Sequence, residues 1–180
     1  MLRITVPAAE LWVEKYQRFV YTKEQTLQLE HSLISLSKWE SKWCKSFLHT
    51  KNLTDEETLD YVKCMTLTQS VDPNVYNALT PDNIEQIKSY INAPMTATTF
   101  AEDSNGKKNR EIITAELIYY WMVTFNIPFE CEKWHLNRLI TLIRVCSIKN
   151  QPPKKRSTRD IMRQQAELNA ARRKKMNSKG

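Results

Sequence analysis

The apolar positions of this 180-residue chain change period along its length. Near the N-terminus Leu2, Ile4 and Val6 alternate with polar residues before Pro7, and Phe19, Val20 and Tyr21 form a second extended run. Together they predict a small antiparallel sheet. Thr26 to Glu30, with Leu27 and Leu29 on one face, adds a further strand. The period then becomes helical through Leu33, Leu36, Trp39 and Trp43, so a helix starts near His31 or Ser32. Thr54 followed by Asp55, Glu56 and Glu57 is a capping box: it satisfies otherwise unpaired amides and places acids at the positive end of a helix running from Asp55 to Thr68. Pro73 opens a short helical turn. Thr80, with Pro81 in the first helical position, starts another helix through Ile84, Ile87 and Ile91, which Asn92, Ala93 and Pro94 end. Met95 to Arg110 is poor in apolar residues and reads as a loop with a brief strand at Thr96 to Phe100.

The richest apolar stretch runs from Ile112 to Asn150 and reads as two long helices joined by a tight turn. Ile113, Leu117, Tyr120, Trp121 and Phe125 recur at helical spacing. Asn126 closes this helix in a left-handed conformation, and Pro128, lacking an amide hydrogen, cannot continue it. Trp134, Leu139, Ile143 and Cys146 form the stripe of the second helix, with Lys133, Asn137, Arg138 and Arg144 on its wetter side. The fold class expected is α+β and predominantly α-helical. A small N-terminal antiparallel sheet is packed on a helical core with a central antiparallel helix hairpin, followed by a C-terminal basic helix. Residues 1–150 form the globular domain; Gln151, Pro152 and Pro153 break the chain, and residues 151–180 are a linker and the basic helix.

Charge sharpens this division. Residues 151–180 hold 10 Lys and Arg against 2 acids, whereas residues 1–150 hold 17 against 18. A near-neutral body with a strongly basic appendage assigns the charge to a contact made by the tail. Within that tail, Ser157 with Asp160 resembles a capping box, and Ile161, Gln165, Leu168 and Ala171 give a thin apolar stripe on a polar helix, able to dock on a partner or project into solvent. Arg172, Arg173, Lys174 and Lys175 place four cations within one turn. They suit phosphate contact, and equally a solvated helix end where cations complement the helix dipole.

Catalytic and cofactor chemistry finds little to work with. Cys44, Cys64, Cys131 and Cys146 are scattered singly and are expected as reduced thiols. Cys131 and His135 share a helical face at a spacing that offers half of a metal site, but no second pair stands at ligand spacing, so no metal is expected. His31, His49 and His135 lie outside any nucleophile motif, and two glycines in the chain leave no phosphate-cradling loop. No cofactor is expected. Trp39 and Trp43, flanked by Lys38, Lys42 and Lys45, could stack nucleic-acid bases; the commoner arrangement, expected here, buries the tryptophans and solvates the lysines. The run LIYYWMVTF stops short of the roughly 20 residues that span a bilayer, and MLRITVPAAELW lacks the apolar core of a secretory signal.

The strings SLISLSKWESKW, DPNVYNAL, PMTATTF, REIITAELIYYWM, NIPFECEKWHLNRLITLIRVCSIKNQPPKK and LNAARRKKMNSKG together resemble a family of tailed-bacteriophage tail assembly chaperones, encoded near the tape-measure protein. The resemblance runs from the Trp39 region to Gly180. It implies a non-enzymatic protein of the host cytoplasm that coats the tape-measure protein, promotes assembly of tail-tube subunits around it and is absent from the mature virion. Self-association into a homo-oligomer is compatible with that role. No functional residues of the family transfer by position. The partner-binding residues expected are therefore those read from the tail itself: Ile161, Leu168, Arg172, Arg173, Lys174 and Lys175. Alternatives are a nucleic-acid-binding protein that uses the basic tail, and a structural adaptor retained in the virion.

Overall fold

A computed structural model describes residues 1–13, 17–100, 111–151 and 158–176. The chain divides into two compact units, Met1–Ile148 and Lys149–Gly180. The first begins with two antiparallel ribbons. In one, β1 (Leu2–Val6) pairs with β4 (Gln25–Leu29), setting Ile4 opposite Leu27 and Leu2 opposite Leu29. The period-2 alternation sends Ile4, Val6, Leu27 and Leu29 into the core. In the other, β2 (Ala9–Val13) pairs with β3 (Arg18–Thr22), setting Leu11 opposite Val20 and Trp12 opposite Phe19. Sequence reading missed β2, because its five residues carry a glutamate and follow directly on the break at Pro7.

Among the described residues five α-helices follow in this unit, and three begin on reciprocal capping boxes. Ser32 caps α1 (Leu33–Trp43), Thr54 caps α2 (Asp55–Met65) and Thr80 caps α3 (Pro81–Asn92), each in a reciprocal box with the residue three positions on. Each such cap is worth about 1 kcal/mol. The α2 helix ends at Met65, short of the expected Thr68, because Thr66 turns its backbone to extended geometry. It thereby forms a bridge to Leu29 that extends the β1–β4 ribbon. Pro73–Ala78 is a short 3-10 helix, as the proline signal predicted. The brief strand expected at Thr96 to Phe100 is absent; with no partner strand, that stretch is irregular.

The segment from Ile112 forms α4 (Ala115–Thr124), a 3-10 turn at Phe129–Lys133, and α5 (Leu136–Asn150). Asn126 does adopt the left-handed conformation, with φ of 52°. Two details differ from the expected hairpin. The first helix starts at Ala115 on a Thr114 cap, leaving Ile112 exposed, and Tyr120 points outward rather than into the core, at 61% exposure. Trp134 belongs to the turn before α5 and is half-buried under the Arg138 guanidinium, 4.1 Å from the ring centre.

The core consists of two apolar clusters, and α1 feeds both. Trp39, fully buried, joins Leu27, Leu29, Tyr61 and Met65 in the first. Leu33 and Leu36 join Ile118, Met122, Leu136 and Leu139 in the second. Glu40 completes the wedge. One of its oxygens accepts from the Phe47 amide at 2.9 Å and the other from the Ala115 amide at 2.7 Å, so an acid on α1 caps α4 from 75 residues away.

Candidate functional site

The sequence pointed to two basic helices, and their surroundings differ. On α1, Trp39 lies in the core and its indole N–H donates to the Glu57 carbonyl at 2.9 Å. Trp43 is half-buried and donates to Asp60 at 2.9 Å. Lys42 pairs with Asp60, and Lys45 with Glu57 at 2.6 Å. Hydrogen bonds from Lys45 and from the Thr54 amide hold the Glu57 carboxyl below its ordinary range. Burial pushes Asp60 up, but the bonds from Lys42 and Trp43 outweigh it, and the net shift is downward. The tryptophans of α1 are therefore structural, and Lys42 in its last turn and Lys45 just beyond its end are committed to acids on α2.

The second basic helix, α6 (Thr158–Met176), is the core of the candidate site. Met162 and Leu168 are exposed at 68% and 53%, and Arg172, Arg173, Lys174 and Lys175 are all exposed in its last turns. An ion pair joins Arg163 to Glu167 at 3.4 Å along the helix. Ser157 and the side chains of Asp160 and Ile161 lie outside the described residues, so the expected cap and the first member of the apolar stripe do too. Leu168 and the four cations occupy one continuous stretch of helix, with the apolar residue one turn before the charge.

The titratable groups of the first unit are absorbed in its architecture. The His31 Nδ1 lies 2.5 Å from the Tyr61 hydroxyl, and its ring packs edge-on against His135 with centroids 5.1 Å apart. Burial, and then the neighbouring His135, lower the His31 pKa to about 3. His135 is lowered by burial as well. Its Nε2 contacts the Tyr90 carbonyl at 3.0 Å and its Nδ1 the Asn137 amide at 3.3 Å. A carbonyl only accepts and an amide only donates, which fixes a neutral ring protonated on Nε2. Tyr119 donates to Glu132 at 2.8 Å, and burial with that partner raises its hydroxyl to about 12. Burial also raises the Cys64 and Cys131 thiols, which keeps them protonated. Cys131 lies in the second core cluster, and among the described residues no group of three or more His, Cys, Asp or Glu side chains converges on a metal-sized site.

Two exposed apolar surfaces escaped sequence reading. On the β2–β3 ribbon Trp12, Phe19 and Tyr21 share the outer face, with Trp12 edge-on to Phe19 at 5.0 Å. On α4, Tyr120 and Val123 stand three residues apart and exposed. Among the described residues no helix is long and apolar enough to cross a membrane. No protein-family model matches the chain, and no curated protein or solved structure matches it significantly.

Proposed function

We propose that this is a non-enzymatic binding protein, and in particular a phage tail assembly chaperone that holds the tape-measure protein in the host cytoplasm while tail-tube subunits assemble. The observation that supports the binding role is α6: its described apolar and cationic side chains are exposed, and Leu168 stands beside four cations. Such a helix has side chains to offer a partner without unmaking a core. The particular assignment rests on the strings set out above, from SLISLSKWESKW to LNAARRKKMNSKG. In this reading Ile161 and Leu168 supply apolar contact, and Arg172 to Lys175 steer encounter with acidic partner residues.

Co-purification tests it. Ile161→Asp with Leu168→Asp is expected to abolish association with the tape-measure protein. Alanine at Arg172, Arg173, Lys174 and Lys175 weakens association and makes it less salt-sensitive. A second reading, nucleic-acid binding, is favoured by the same four exposed cations. It gains if the intact protein ignores the tape-measure protein and binds duplex DNA tightly with a steep salt dependence that the alanine changes flatten. Mass spectrometry of purified virions separates a chaperone, which is absent from them, from a retained adaptor.

A further inference from the structure

Between α2 and α3 lies a cleft of about 920 Å³. Its floor is apolar, with Tyr61, Val62, Tyr76 and Ile87 buried beneath it. Leu53, Leu59, Leu79, Ile84 and Ile91 line its walls, each half-buried, and Leu59 and Ile84 belong to neither core cluster. The charged and amide side chains around it, among them Lys51, Asp55 and Lys88, are exposed at the rim. A small-molecule site would aim polar groups inward to orient its ligand; here they face solvent. The volume suits a helix: a cylinder about 10 Å across rising 5.4 Å per turn displaces roughly 400 Å³, so about two turns fill the cleft.

The rim charges indicate which kind of helix. Lys42, in the last turn of α1, and Lys45, just beyond it, are paired with acids. Lys51 and Lys88 form no ion pair among the described residues. The one rim acid, Asp55, stands in the first turn of α2, where the helix dipole already favours a negative charge. An apolar trough flanked by two uncommitted cations complements an apolar stripe flanked by carboxylates. We propose that the α2–α3 cleft is a docking groove for an acidic amphipathic helix of a partner protein, with Lys51 and Lys88 pairing to its flanking acids. The groove lies within the unit Met1–Ile148 and makes no use of α6, so this proposal and the α6 reading fail separately.

A fluorescent helical peptide of about 14 residues, with one leucine stripe and flanking glutamates, is titrated against the full chain. A twin peptide carrying lysines in place of the glutamates is titrated in parallel. The glutamate peptide is expected to bind and the lysine peptide to bind at least about tenfold more weakly. Lys51→Glu with Lys88→Glu, both at exposed positions, reverses that preference while leaving the circular dichroism and melting of the chain unchanged. Ile84→Asp, on the wall, abolishes binding of both peptides. Equal binding of the two peptides, no binding of either, or a preference untouched by the charge reversal would overturn the proposal. A dimer in sedimentation that Ile84→Asp dissociates would overturn it in favour of a second copy as occupant.

Discussion

Helices α1 and α6 carry the same kind of text, lysines or arginines interleaved with apolar residues, and they do opposite things with it. On α1 the apolar residues enter two clusters, and Lys42 in its last turn and Lys45 just beyond it meet Asp60 and Glu57, which are nearly buried at the base of the pairs. On α6 the described side chains are exposed, and Glu167, the acid that pairs with Arg163, lies on the same helix. The difference teaches that a basic amphipathic pattern does not by itself mark a binding surface. What decides is whether a neighbouring element supplies acids and an apolar seat, and α2 does so for α1.

The largest effect that would break this contrast is at Trp39. Trp39→Ala removes a fully buried ring and the bond to the Glu57 carbonyl, and should destabilise the protein by about 3 to 5 kcal/mol in urea unfolding. A variant that unfolds like the parent would mean that α1 is not seated in the core.

Acidity probes the same junction, because His31 stands at the start of α1. Its folded pKa lies far below the ordinary 6.5, so below that pH the unfolded chain takes up a proton that the folded chain refuses. The contribution is whole above pH 6.5 and is lost as pH falls toward 3, with a slope of up to about 1.4 kcal/mol per pH unit for one histidine. His135, also lowered, adds in the same direction. Glu57 and Asp60, held low, lose theirs on further acidification, whereas Glu40, raised by burial, is relieved by it. Unfolding midpoints measured from pH 7 down to 4 should fall, and His31→Gln, which does not titrate, should flatten the curve. A midpoint constant from pH 7 to 5 would contradict the buried neutral pair.

The smallest effects sharpen the comparison most directly. Lys45→Ala leaves the Glu57 carboxylate without its cation and should lower the melting midpoint measurably. Alanine at Arg172, Arg173, Lys174 and Lys175 together should leave stability within about 0.5 kcal/mol of the parent, since all four side chains are exposed. If the four-residue change proved the more destabilising, the exposure of these cations would be contradicted.

Local chemistry explains what could be read in advance. The Thr54 and Thr80 caps, the Pro73 turn and the left-handed Asn126 each depend on residues within four positions, and the chain writes them plainly. Glu40 was invisible as a cap for α4, because nothing in its neighbourhood names Ala115. The same distance hid the central place of α1: apolar content favoured the segment after Ile112, yet Tyr120 and Val123 there face outward, while α1 is wedged between both clusters. On α6 the charge of Arg172 to Lys175 could be read from the chain directly, because it needs no distant partner to appear. The groove between α2 and α3 was not legible, since it arises from the space two separate helices leave open.

The wedge position of α1 also sets a schedule for biosynthesis. Leu33 and Leu36 are covered by Leu136, Leu139 and Ile143, about a hundred residues later in the chain. A ribosome adding about 5 to 20 residues per second needs roughly 5 to 20 seconds to deliver that cover. During this interval the nascent chain carries both leucines without the cover of α5, and Ile118 and Met122 of α4 arrive only shortly before it. Any chaperone that meets nascent chains at the ribosome thus meets α1 before α5 does, and slow codons between the two helices would lengthen the wait.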